Sequence, residues 1–274
     1  MIKKFITGGC SFTFGHELSD DQEGKIPSQK SWGYGLYRSQ EVNYQTLANK
    51  QEYVCVASPG AGNSAIARKV FNAVTNNTEI SSVCIMWSFV SRYDWAMPRH
   101  KFLEDTRWAA ISPWDTDAGN EEAFRSMQGS EPQQQQWITR GDQYRETGVK
   151  DLAEAIYKYG ANEYHETYLS WKSIIWLQNI LEKKKIPFMF TLADNGLFYN
   201  GMTHHREKDR FMNKLWQEID ASKWFFFGER AMGFNQWALL NDYERGLTHP
   251  LDKAHEDAVN LMQPMFIKLI GEKK

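Results

Sequence analysis

Cysteine is scarce in this sequence: three residues in 274, Cys10, Cys55 and Cys84. They are odd in number, scattered and without a Cys-x-x-Cys pair, which argues against a disulfide framework or a zinc cluster. They read as small buried hydrophobes. An excess of one charge is also missing, because 34 acidic side chains face 32 basic ones and the net charge is −2. With no surplus of Lys and Arg to neutralise phosphates, a partner nucleic acid is not expected. Long apolar runs are absent too. The longest, near Val83 to Val90, falls far short of the roughly 20 residues that a spanning helix needs, so no membrane crossing is expected. Met1 to Gly9 hold a Lys pair but neither a long apolar stretch nor a small-residue cleavage site. They do not read as a signal peptide, and a cytoplasmic protein is the expectation. No Gly-x-Gly-x-x-Gly follows a strand, no phosphate-binding loop carries its Lys, and no His-Glu-x-x-His occurs. Neither a nucleotide cofactor nor a metal is expected.

Aromatic side chains, by contrast, are abundant, with 11 Trp, 12 Tyr and 16 Phe making up 14% of the chain. Several of them sit in β-prone runs: Ile2–Thr7 before Gly8-Gly9, Glu52–Ala57 before Ser58-Pro59-Gly60, Ser82–Trp87, Ile186–Leu192 and a weaker Trp224–Phe227. Their near-continuous apolar character, rather than alternation, is that of strands covered on both faces of a parallel sheet. Helical spacing falls between them. Ile66, Val70 and Val74 recur every fourth residue within 63–75, and Leu169, Ile174, Leu177 and Leu181 share a broad face of 164–181. Arg206–Ile219 and Ala254–Ile270 are helical as well, with Pro264 expected to kink or interrupt the latter. Alternating strands and helices predict a doubly wound α/β domain over the whole chain. Residues 98–150 break the alternation with Pro113, Gly119, Gly129, Pro132, Gly141 and a Gln133–Gln136 tract, and are expected to form an insertion or lid after the third strand.

A nucleophile and a base are available at opposite ends of the chain. Gly8-Gly9-Cys10-Ser11 places Ser11 at a strand-to-helix turn where glycines allow tight geometry and the following amides point one way. His249-Pro250-Leu251-Asp252-Lys253-Ala254-His255 lies near the other end. A serine hydroxyl is a weak nucleophile until a base takes its proton, and the base histidine needs a carboxylate to fix its tautomer. Asp252 and His255, three apart, can be that pair. An N-cap role for Asp252 and an ordinary helix position for His255 are the simpler alternatives. His249 is a lesser candidate in the same loop, held extended by Pro250.

The Gly-x-Ser-x-Thr turn at Gly9–Thr13, Pro59-Gly60-Ala61-Gly62-Asn63 after the second strand, and Asp252-x-x-His255 before the last helix resemble the ordered blocks of the SGNH (GDSL-type) hydrolase superfamily. The resemblance implies a flavodoxin-like three-layer α/β/α sandwich with a parallel sheet. It also implies an esterase, with carbohydrate O-deacetylation among the options, working through an acyl-enzyme. Ser11 would be the nucleophile, His255 the base and Asp252 its orienting carboxylate, with the N–H groups of Ser11 and Gly60 binding the oxyanion. Two departures stand out. Cys10 replaces the aspartate before the nucleophile, and the family's Gly-x-Asn-Asp block is missing where the chain reads Trp87-Ser88-Phe89-Val90-Ser91-Arg92. Losing one oxyanion donor costs about 100- to 1000-fold in rate. Asn63 is the first candidate replacement, Ser88 the second and Arg92 the third. Arg92 could also hold an anionic part of the substrate through its fork.

The eroded block favours a rival from another class, a binding module that recognises a glycan or a protein without turnover. The intact Ser11, Asp252 and His255 favour the enzyme, whose partner would be a small-molecule or carbohydrate ester. Trp87, Trp95, Trp108, Trp114 and Trp137 cluster between the third strand and the middle of the insertion. There they would wall a substrate crevice. The irregular blocks and Trp-rich insertion also resemble SGNH-like proteins encoded by bacteriophages.

Overall fold

The β-prone runs do become strands. A computed structural model describes residues 2–43, 51–98, 108–117, 148–199 and 209–271. In it β1 (Lys3–Gly8), β2 (Gln51–Cys55), β3 (Ile80–Trp87) and β6 (Phe188–Leu192) form one sheet in the order β2-β1-β3-β6. All three pairings are parallel, with Phe5 opposite Tyr53 and Ser82, and Cys84 opposite Met189. The expected fifth strand at Trp224–Phe227 is only a single parallel bridge between Trp224 and Phe190.

Neighbouring residues of β1 show how the sheet is covered. Thr7 packs against α2 (Trp32–Asn43), while Gly8 packs against Ile66 and Val70 of α3 (Asn63–Asn76). Alternation along a strand sends these two to opposite faces. α8 (Asp252–Gly271) joins α2 on the Thr7 side, where Phe266 meets the edge of Phe5 at 5.6 Å, and α5 (Glu163–Lys183) packs on α3. The result is the expected α/β/α sandwich. Its core runs through Phe5, Ile6, Ile66, Ile85, Trp87 and Phe190, all at most 1% exposed. Each such side chain stabilises the fold by about 1.5–3 kcal/mol through burial. Pro264 does not end α8, which continues to Gly271.

One region departs from the sequence expectation. After β3 the chain makes an antiparallel hairpin of β4 (Tyr93–Ala96) and β5 (Trp108–Ile111). With α4 (Val149–Ala155), this hairpin buries its own small cluster of Tyr93, Met97, Ala109, Ile111, Val149 and Ala153. The described part of the expected insertion is thus a packed unit, whereas Trp137 and the Gln133–Gln136 tract lie outside the described residues. Two short helices, α6 (Arg210–Gln217) and α7 (Phe234–Leu240), lead into the loop before α8. Among the described residues, no helix is long and apolar enough to cross a membrane.

Candidate active site

β1 runs straight into the site. Gly8-Gly9-Cys10 turns the chain into α1 (Ser11–Phe14), a single helical turn whose first residue is Ser11. Gly9 is required at this turn because a Cβ there would lie 2.0 Å from Thr13 Oγ1 and 3.0 Å from the Met86 carbonyl oxygen. The loop after β2 is drawn to the same place, since the Ser58 N–H donates to the Gly9 carbonyl at 3.2 Å. The N–H groups of Ser11 and Gly60 donate to no acceptor among the described residues.

The histidine that meets Ser11 is His249, not His255. Its Nε2 lies 2.7 Å from Ser11 Oγ, and its ring packs edge-on to Phe12 with centroids 4.7 Å apart. On the far side Nδ1 is 3.1 Å from Glu17 Oε1 and 2.7 Å from Thr248 Oγ1. Glu17 also accepts from the backbone N–H groups of Thr248 (3.0 Å) and His249 (3.2 Å) and from the Thr248 hydroxyl (2.8 Å). These bonds assign the tautomer. Thr248 spends its one hydroxyl hydrogen on Glu17, and a carboxylate oxygen can only accept, so Nδ1 carries the proton. The Nε2 lone pair then points at the Ser11 hydroxyl.

Glu17 is held in place at a conformational cost. Its φ is +70°, a left-handed conformation uncommon for a residue with a side chain. Asp21 secures it by accepting from the Glu17 N–H at 2.9 Å. Burial pushes the Glu17 carboxyl up, but bonding and charge from His249, with bonds from Thr248, outweigh this and hold it at about 2. The carboxylate fits because residue 246 is glycine: a Cβ on Gly246 would stand 2.4 Å from Glu17 Oε2.

Asp252 and His255 do not join this constellation. His255 is 1% exposed and sits on the inward face of α8, where its Nδ1 accepts the Trp32 N–H at 3.1 Å and its ring packs on Phe234 at 4.8 Å. Burial, with repulsion from the charge of His249, drives its pKa down to about 3. Asp252, at the helix start, accepts from the Ser19 N–H (3.0 Å), the Ser19 hydroxyl and Lys30 Nζ (2.7 Å). Burial raises its pKa, and these bonds bring it to about 2. Asp252 therefore ties down the loop that carries Glu17 instead of orienting a histidine.

The other expected residues divide similarly. Asn63 cannot serve the oxyanion through its side chain, since both amide hydrogens are taken, by the Ser88 carbonyl (3.1 Å) and Ser170 Oγ (3.0 Å). Its oxygen accepts the Ser88 N–H at 2.7 Å, so Asn63 clamps the end of β3. Ser88 and Trp87 are fully buried and cannot wall a crevice. Trp95 and Trp108 stand exposed on the β4–β5 hairpin, with the Arg68 guanidinium 4.3 Å over the Trp108 ring. Arg92 and Trp114 do line a pocket. It encloses about 310 Å³ beside His249 and is walled by Phe12, Phe89, Arg92, Trp114 and Arg245.

Glu17 and Arg245 were not anticipated. No local pattern marks Glu17, which reaches His249 across 232 residues. His249 could have been ranked higher on one signal, its place in a loop ahead of the helix with Pro250 holding it extended. Among the described residues, no group of three or more His, Cys, Asp or Glu could hold a metal ion.

No family model matches the chain, and no curated protein matches it in sequence. Solved structures are similar across its whole length. One is a carbohydrate acetylesterase family member from Sinorhizobium meliloti, 9% identical over 98% of this chain and 100% of that one, with a TM-score of 0.46. A catalytic mutant of an acetylxylan esterase from Geobacillus stearothermophilus is 11% identical over 99% and 95%, at 0.45. A protein described as a GDSL-like lipase, from Parabacteroides merdae, is 11% identical over 100% and 99%, at 0.44.

Proposed function

We propose that this protein is a serine esterase of the SGNH type, with Ser11 as nucleophile, His249 as general base and Glu17 as the carboxylate that orients it. One observation carries the reading: Ser11 Oγ, His249 and Glu17 form a continuous relay with links of 2.7 Å and 3.1 Å. That is the order of hydrogen bonds an activated serine requires. In the reaction, Ser11 Oγ attacks the ester carbonyl while His249 Nε2 takes its proton. The tetrahedral oxyanion is met by the N–H groups of Ser11 and Gly60. Collapse expels the alcohol, which takes the proton from His249, and leaves an acyl group on Ser11. Water then attacks this ester with His249 again as base, releasing the acid and restoring the serine. Glu17 stays ionised throughout, which keeps Nδ1 protonated and stabilises the imidazolium.

A pocket of about 310 Å³ suits a small acyl group or one ring of the alcohol. Phe12, Phe89 and Trp114 give the pocket aromatic walls, which suit carbohydrate O-acetyl esters as the substrate class. The test is Ser11→Ala assayed on 4-nitrophenyl acetate, with a fluorophosphonate probe as a second readout. Loss of turnover and of labelling together is expected. Turnover and labelling that survive the substitution refute the assignment.

A further inference from the structure

The pocket beside His249 holds two guanidinium groups, neither in an ion pair among the described residues. Arg92 is 8% exposed, and among the described residues its only hydrogen bond goes from Nη1 to Ser88 Oγ at 3.0 Å. A guanidinium has about five N–H donors and no acceptor, so most of this buried group's donors have no acceptor among the described residues. Its plane is fixed by aromatic rings, Phe89 at 4.6 Å and Trp114 at 5.5 Å from the guanidinium carbon. Arg245, on the same pocket, donates to Asn235 Oδ1 (3.0 Å) and to the Thr248 carbonyl (2.7 Å), both neutral acceptors.

The nearby carboxylates are occupied elsewhere. Asp115 lies within electrostatic reach of Arg92 but accepts from the Ser112 N–H (2.7 Å) and hydroxyl (3.0 Å). Glu17 acts on Arg245 at a distance while its oxygens serve Thr248 and His249. Burying a charge is costly unless it is paired. Two guanidinium groups that line one small pocket and have no ion-pair partner among the described residues are complementary to an oxyanion, which their planar forks bind in bidentate fashion.

We infer that the ester this protein cleaves carries an anionic group, a carboxylate, sulfate or phosphate, which Arg92 and Arg245 hold beside Ser11 and His249. This inference rests on the esterase reading for its setting but not for its chemistry. The selectivity is of the kind that rejects a neutral isostere, because a substrate lacking the anion leaves the buried Arg92 guanidinium without a counter-charge.

Four esters test it, in two matched pairs. Mono-(4-nitrophenyl) glutarate against 4-nitrophenyl valerate places the anion on the acyl side, and 4-acetoxybenzoate against 4-acetoxybenzamide places it on the alcohol side. At least one anionic ester is expected to exceed its neutral match in kcat/KM by tenfold or more, with the ratio falling as NaCl rises from 20 mM to 0.5 M. Arg92→Gln and Arg245→Gln are each expected to cut that ratio at least fivefold. Ratios near one in both pairs of the wild-type protein overturn the inference, whether or not the variants fold. Absence of turnover on all four esters, with no Ser11-dependent labelling, refutes the esterase reading instead. Benzoate and benzamide titrated calorimetrically into Ser11→Ala then decide the anion question. Benzoate binding at least tenfold tighter sustains the inference, and equal or absent binding overturns it.

Discussion

Replacing His249 and His255 one at a time separates catalysis from folding at this site. His249→Asn removes the one imidazole that, among the described residues, lies within hydrogen-bond reach of Ser11 Oγ, so the proposed nucleophile loses its base. General-base catalysis contributes about 10²–10⁴-fold, and a loss near 10³ corresponds to about 4 kcal/mol of barrier. The variant is expected to keep its fold, because Asn is smaller than His and the position borders the pocket, where water can reach it. His255→Leu has the opposite signature. It takes the acceptor from the buried Trp32 N–H, which costs about 1–3 kcal/mol, while Leu preserves most of the packing on Phe234. The assay pairs kcat/KM on 4-nitrophenyl acetate with urea unfolding followed by Trp fluorescence. The expected pattern is a stable but nearly inactive His249→Asn and a destabilised His255→Leu whose folded fraction turns over like the wild type. A folded, inactive His255→Leu beside a His249→Asn within threefold of wild type would falsify the assignment of the base.

Two further outcomes follow from the same geometry. Glu17→Gln keeps the shape but offers an amide N–H where Nδ1–H needs an acceptor, so kcat is expected to fall by about 10²–10⁴-fold. Gly246→Ala is expected to lower kcat in the same direction but less steeply, because its Cβ displaces the Glu17 carboxylate from a place 2.4 Å away. Stopped-flow or steady-state rates on one activated ester compare the two, and an active Glu17→Gln within fivefold of wild type removes Glu17 from the relay. Acid stability gives an independent check on His255. Its folded pKa of about 3 lies below the ordinary 6.5, so between these values only the unfolded chain takes up the proton. Stability due to the neutral ring is therefore complete above pH 6.5 and declines as pH falls, by up to about 1.4 kcal/mol per unit. Glu17 and Asp252, both near 2, add the same trend only below the usual carboxylate range. Urea midpoints from pH 6.5 to 4.5 should thus slope for the wild type and flatten for His255→Leu. Parallel slopes would mean that His255 titrates normally.

The fold and the placement of Ser11 at a strand-to-helix turn were legible in the residues. Four apolar runs predict the four parallel strands to within a few residues, because strands covered on both faces carry their burial in unbroken local composition. Ser11 follows from Gly8-Gly9 at the end of β1, since the turn's steric demand is also local. Asn63 and Asp252 were read as chemical groups because their types suit chemistry, yet both are spent on backbone and side-chain bonds that hold loops together. Trp87 belongs to the core for a comparable reason: it ends a strand that is buried from Ser82 onward.

By itself the sequence determined an α/β sandwich with a serine at a strand-to-helix turn and a histidine-bearing segment near its other end. Only the tertiary structure decided which histidine and which carboxylate meet that serine. His255 lies on the face of α8 that turns inward toward α2, whereas His249 in the preceding loop reaches across to Ser11. Glu17 enters through a left-handed turn and a gap left by Gly246. Such approaches depend on helix rotation and loop path over more than two hundred intervening residues, and no periodicity or spacing within one segment encodes them.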